Sequence, residues 1–138
     1  MKVIIDTCIW SLALRRKKNN PNGHVKELGE LIKEVRVQLI GPVRQEILSG
    51  VKSKEQFEAL QRHLAAFIDL PLSTGDYELA AEYYNMTREK GIQGSNTDFL
   101  LCAVSARQGM PIFTTDQDFF HFQKIIPIKL HPIRAAFQ

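Results

Sequence analysis

Four carboxylates stand where a folded chain does not usually keep a charge. Asp6 directly follows the aliphatic run Val3-Ile4-Ile5, and Asp116 follows Ile112-Phe113-Thr114-Thr115. Glu46 borders the apolar stripe marked by Val43 and Ile47, and Asp98 opens a segment that is apolar on nearly every side. Singly, each has an ordinary explanation. Asp6 and Asp116 suit strand ends or turns. Asp98 completes an S-x-x-D cap with Ser95. Glu46 can reach solvent from a rim. Gathered in one cleft, the four repel one another and lose hydration, and such a cluster stays ionised when a cation neutralises it. Oxygen-only donors favour Mg²⁺ or Mn²⁺ over zinc. The histidines His24, His63, His121 and His131 show no metal-ligand spacing. Carboxylate-held Mg²⁺ points to phosphodiester or phosphoryl chemistry, in which the cation activates water and neutralises charge on phosphate oxygens.

The elements that carry these acids alternate in type. Val3 to Ile5, Val37 to Ile40, Ile68 to Leu72, Pro111 to Thr114 and Ile128 to Leu130 read as short strands. Helices are expected over Cys8 to Leu14, Val25 to Val35, Pro42 to Gly50, Phe57 to Ile68, Tyr77 to Lys90 and Asp98 to Gln108, with a short one in DQDFFHFQKI. Strands alternating with helices imply parallel pairing with helices on both faces, an α/β sandwich. In such sheets ligands bind beyond the carboxyl ends of the strands, where Asp6 and Asp116 fall.

At 138 residues the chain fits one domain, 1–138, with 44% hydrophobic and 24% charged residues. The net charge of +3 permits a nucleic-acid partner without requiring one. Cys8 and Cys102 sit among apolar neighbours without C-x-x-C spacing and read as buried, reduced thiols. No signal sequence or membrane-length apolar run is visible, so a soluble, cytoplasmic protein is expected. Trp10 reads as core or dimer interface, and Tyr83 and Tyr84 as packing residues. The basic run Arg15, Arg16, Lys17, Lys18 is either a solvated loop or a grip on phosphates. Arg44 either pairs with Glu46 or contacts nucleic acid.

Four stretches, VIIDTCIWS, GPVRQEILSG, NTDFLLCAVSARQG and PIFTTDQDF, fall in the order and at the spacing of one family. The chain resembles the PIN-domain ribonucleases, and within them the VapC-type toxins of toxin–antitoxin pairs. The resemblance spans essentially the whole chain. It implies a three-layer α/β/α sandwich with a five-stranded parallel sheet of order 3-2-1-4-5. It places the acidic site on Asp6, Glu46, Asp98 and Asp116, with Asp6, Asp98 and Asp116 holding Mg²⁺ or Mn²⁺. Thr7, Ser11 and Thr115 become supporting hydroxyls, and Asp118 fits a D-x-D-F ending. It further implies RNA hydrolysis, a homodimer and a cognate antitoxin. A housekeeping PIN nuclease or a catalytically silent PIN module are the alternatives. A haloacid-dehalogenase-like site lacks its second acid because Cys8 takes that position, and a nucleotide-binding Rossmann turn lacks its glycines.

Overall fold

The structure is a computed structural model that describes residues 1–15 and 22–138; the side chain of Arg15 and the residues Arg16, Lys17 and Lys18 lie outside what it describes. Strand β1 (Val3–Ile5) leads into helix α1 (Thr7–Arg15). Helix α2 (Gly23–Lys33) and strand β2 (Val37–Gln38) follow, then α3 (Gly41–Leu48), α4 (Lys54–Leu64), α5 (Thr74–Glu89) and α6 (Asn96–Gln108). Strand β3 (Ile112–Phe113), α7 (Asp118–Gln123) and a 3₁₀ turn (Ala135–Phe137) complete the chain.

The sheet is parallel with order β2-β1-β3, so β1 is central. Val3 faces Val37 across one seam, and Ile5 faces Phe113 across the other. Val3, Ile4 and Ile5 have no exposed surface, although neighbouring strand residues point to opposite faces. Both faces are therefore covered, as parallel sheets require.

The expected five-stranded sheet has three strands among the described residues. The two outer strands shrink to single parallel bridges, Leu39 with Asp69 and Ile112 with Leu130. Both pairings end because their inner partners leave the sheet. The Leu70 amide donates to the Leu39 carbonyl at 2.9 Å, and the next carbonyl in register would be that of Gly41, which already opens α3. The His131 amide donates to the Ile112 carbonyl at 2.8 Å, and β3 ends at Phe113 before the turn to Asp116.

Helix α4 also ends earlier than its apolar spacing predicts. It stops at Leu64, and Ile68 is 86% exposed. Arg44, on α3, causes the stop. Its Nη1 donates to the Leu64 carbonyl at 3.0 Å, its Nη2 to the Phe67 carbonyl, and its Nε to both Asp69 oxygens at 3.1 Å. The guanidinium satisfies orphan carbonyls past the helix end and holds the Asp69 edge against β2. It neither pairs with Glu46 nor keeps a free fork for RNA, which corrects the sequence expectation for Arg44. Arg44→Ala is expected to lower unfolding stability by about 2–3 kcal/mol, with Arg44→Lys restoring little because an ammonium lacks the planar fork. Urea denaturation of the two variants checks this.

Helix α6 is the central, buried helix that its composition predicts. Phe99 through Ser105 are all buried. It starts with a capping box in which Ser95 Oγ accepts from the Asp98 amide at 3.1 Å and Asp98 Oδ2 accepts from the Ser95 amide at 3.0 Å. It ends at Gly109, whose φ of 68° is the left-handed conformation that suits glycine. Trp10 is core, 2% exposed and edge-on to Phe67 at 5.1 Å.

Candidate active site

Asp6 is the residue after β1 and is 6% exposed. The first turn of α1 folds back on its carboxylate. The Thr7 amide donates to Asp6 Oδ1 at 2.7 Å. Asp6 Oδ2 accepts from Thr114 Oγ1 at 2.8 Å and from Cys8 Sγ at 3.5 Å. Burial pushes the carboxyl above its ordinary pKa; these hydrogen bonds oppose that, and the Asp116 charge adds to it.

Asp116 sits just past β3. Its amide donates to Thr114 Oγ1 at 2.9 Å, and its own Oδ1 accepts from the Asp118 amide at 2.9 Å. Thr114 is thus a clasp between two acids, donating its hydroxyl proton to Asp6 and accepting from Asp116. The clasping hydroxyl expected at Thr115 belongs to Thr114, one residue earlier. A threonine two residues before an acid can accept the acid's amide in a local turn, so the T-x-D spacing carried the signal. At Thr115 it is the amide that takes part, donating to Cys8 Sγ at 3.3 Å. Cys8 therefore belongs to the site and is not merely packing. Asp118 is exposed and opens α7, where its amide, through Asp116 Oδ1, closes the turn.

Glu46 is exposed on α3, and Thr7 Oγ1 donates to its Oε1 at 2.7 Å. That bond ties α3 to the turn after β1. Ser11 lies one helical turn beyond Thr7 on the same face of α1.

Asp98 enters from the first turn of α6. Its pKa is raised to about 6, first by burial and then by the charges of Asp6 and Asp116, against the hydrogen bonds from Ser95. The fold thus brings Asp98, Asp6 and Asp116 within reach of one another's charge. Cys102, one turn further along α6, is fully buried, and burial together with Asp98 and Asp6 keeps its thiol protonated.

Among the described residues, no three His, Cys, Asp or Glu side chains are placed to close around one ion as they stand. The donor set nevertheless fits a hard divalent cation. Mg²⁺ keeps several of its waters and is held through one or two carboxylates rather than an all-protein cage. Mutually repelling, oxygen-only carboxylates suit that mode.

Parallel strands that deliver carboxylates to one edge, with an acid on a buried helix coupled to them, define an α/β protein with its acids at the carboxyl edge of the sheet. The PIN-domain family model matches residues 3–125, and the chain belongs to that family. No curated protein sequence matches it. Among solved structures it is similar to FitAcB from Neisseria gonorrhoeae, at 19% identity and TM-score 0.73, over 94% of this chain and 96% of that one. It is also similar to VapBC2 from Rickettsia felis bound to a promoter DNA fragment, at 19% identity and TM-score 0.75, over 95% and 98%. A third is VapBC-5 from Mycobacterium tuberculosis, of the VapBC family of toxin–antitoxin systems, at 18% identity and TM-score 0.67, over 94% and 96%. At these identities the likeness is one of fold. Among the described residues, no helix is long and apolar enough to cross a membrane.

Proposed function

We propose that the protein is a divalent-cation-dependent endoribonuclease, the toxin of a toxin–antitoxin pair. The observation that carries this reading is the Thr114 hydroxyl, which bonds both the Asp6 carboxylate and the Asp116 amide and so ties two acids together at the carboxyl edge of the sheet. PIN domains are generally nucleases, and solved structures of this fold include VapBC-5, a member of the VapBC family of toxin–antitoxin systems, and a toxin–antitoxin complex from Klebsiella pneumoniae.

In this reading Asp6, Asp98 and Asp116 hold Mg²⁺ or Mn²⁺, which when bound supplies charge neutralisation at the scissile phosphate and a more acidic water. Thr114 fixes Asp6 and the loop bearing Asp116, so both ligands are oriented before substrate arrives. Glu46, steadied by Thr7, orients the attacking water. Asp118 and Ser11 line the approach. Arg15 at the end of α1, with Arg16, Lys17 and Lys18 after it in sequence, supplies positive charge for the RNA backbone. The partners are RNA, a cognate antitoxin that covers the cleft, and a second copy of the chain. The cytoplasm is the place of action.

The test is cleavage of a structured RNA with Mg²⁺ or Mn²⁺, with chelator, and with Asp6→Asn. Cleavage is expected only with cation and intact Asp6; equal activity in all three ends the proposal. Sequencing RNA ends after controlled expression identifies the substrate. Growth arrest that is relieved by the product of an adjacent small gene separates a toxin from a housekeeping nuclease.

A further inference from the structure

We propose that Cys8 is a positioning residue of the acidic site, holding the Asp6 carboxylate and the loop that carries Asp116 at the separation a shared divalent cation requires. The inference rests on the nuclease reading above. It comes from three contacts that converge on one sulfur. Cys8 Sγ donates to Asp6 Oδ2 at 3.5 Å, lies 3.4 Å from Thr114 Oγ1, and accepts from the Thr115 amide at 3.3 Å. The first group ends the central strand; the other two belong to the turn after β3.

Cys8 and Thr114 divide this work. Thr114 Oγ1 accepts the Asp116 amide, and Cys8 Sγ accepts the Thr115 amide before it. Two successive backbone N–H groups are thereby held by side chains that both also bond Asp6 Oδ2. The loop can rotate Asp116 away from Asp6 only by breaking both. Sulfur suits this place by its reach. A hydroxyl needs partners at about 2.7–3.0 Å, so no single oxygen at the end of a shorter bond spans three groups that each stand 3.3 Å or more away. Serine keeps a donor and an acceptor but draws the loop inward.

The test measures Mn²⁺ affinity from the free-ion EPR signal, beside cleavage rate and metal-free melting temperature. Cys8→Ala and Cys8→Val both remove the hydrogen bonds, and the valine keeps the bulk should the alanine variant fail to fold. In each, the Mn²⁺ dissociation constant is expected to rise about tenfold, as when an outer-shell partner of a metal ligand is lost. Cleavage at sub-saturating Mn²⁺ should fall in step with the affinity, and Cys8→Ser, whose shorter bonds draw the loop inward, should recover only part of it. A melting temperature that falls while Mn²⁺ affinity is unchanged overturns the assignment and leaves Cys8 as packing. Wild-type protein that binds no Mn²⁺ overturns the nuclease reading along with it. Wild-type binding with equal affinity in both variants overturns the role of Cys8 alone.

Discussion

Asp98→Asn is expected to lower RNA cleavage on the order of 100-fold or more while making the metal-free protein more stable. Both effects have one cause. Asp98 is held in a partly desolvated cleft facing the charges of Asp6 and Asp116, and its pKa rises from 3.8 to about 6. A carboxyl whose folded pKa is raised gives stability that is complete below the unfolded value and is lost as pH rises through the folded one. The metal-free protein should therefore lose stability between about pH 4 and pH 6, and stay at the lower level above that window. Asparagine carries no charge, so this slope disappears. The gain near pH 7 is about 1–2 kcal/mol, allowing for the partial exposure of the group. The cap survives, because the asparagine side-chain oxygen can still accept from the Ser95 amide. Loss of a ligand carboxylate is expected to exceed the 10- to 100-fold effect of removing an outer-shell partner. Thermal melts of both proteins across this pH range, with and without Mn²⁺, check the prediction. Wild type should gain from the cation and the variant should gain less. An inactive variant that is also less stable would mean that Asp98 serves the fold alone.

The second large effect lies away from the cleft. Glu27→Ala is expected to destabilise the fold by about 3–4 kcal/mol, lowering the melting temperature by roughly 10–15 °C. Glu27 is 1% exposed on α2 and is surrounded by donors from the C-terminal segment. Arg134 Nε donates to its Oε1 at 2.8 Å and Nη2 to its Oε2 at 3.0 Å. The Arg134 amide adds a bond at 3.1 Å, and His131 Nε2 lies 2.9 Å from Oε2. Burial alone pushes the Glu27 pKa up, but the bonds from Arg134 and His131 reverse this and bring it from 4.5 to about 2. A depressed carboxylate gives stability that is present above pH 4.5 and lost as pH falls through about 2. Wild type should therefore lose this contribution progressively between about pH 4.5 and pH 2, and Glu27→Ala should lack that part of the acid transition. The network ties the end of the chain to α2. A Cβ added at Gly23 would stand 2.5 Å from the Phe137 carbonyl oxygen, which shows how closely the two segments approach. Arg134→Ala should be comparably severe, because it removes the guanidinium and leaves a buried charge with only His131 and the residue 134 amide beside it. Urea titrations and acid melts of both variants decide it. A loss below about 1 kcal/mol would mean that the segment moves as a unit and finds other partners.

Local chemistry determined much of this protein from sequence alone. Short aliphatic runs alternating with amphipathic stretches gave an α/β fold with the correct central helix, because periodicity reports which faces must be buried. The acids at strand ends stood out because a charge there is costly without a purpose. The S-x-x-D cap before α6 was legible because its partners are three residues apart. The tertiary structure decided whatever depends on distant partners. Arg44 looked free for Glu46 or RNA until the chain returned at Leu64, Phe67 and Asp69 to occupy it. The outer strands became single bridges because their inner partners leave the sheet, at Gly41 into α3 and past Phe113 into the turn, which matters only once their neighbours are known. The clasp on Asp6 belongs to Thr114 and Cys8, not Thr115, because the way the turn after β3 leaves the sheet sets which side chains meet a carboxylate 108 residues away in sequence. Sequence spacing fixes what lies within one turn or strand; contacts between segments far apart along the chain are fixed only when packing brings those segments together.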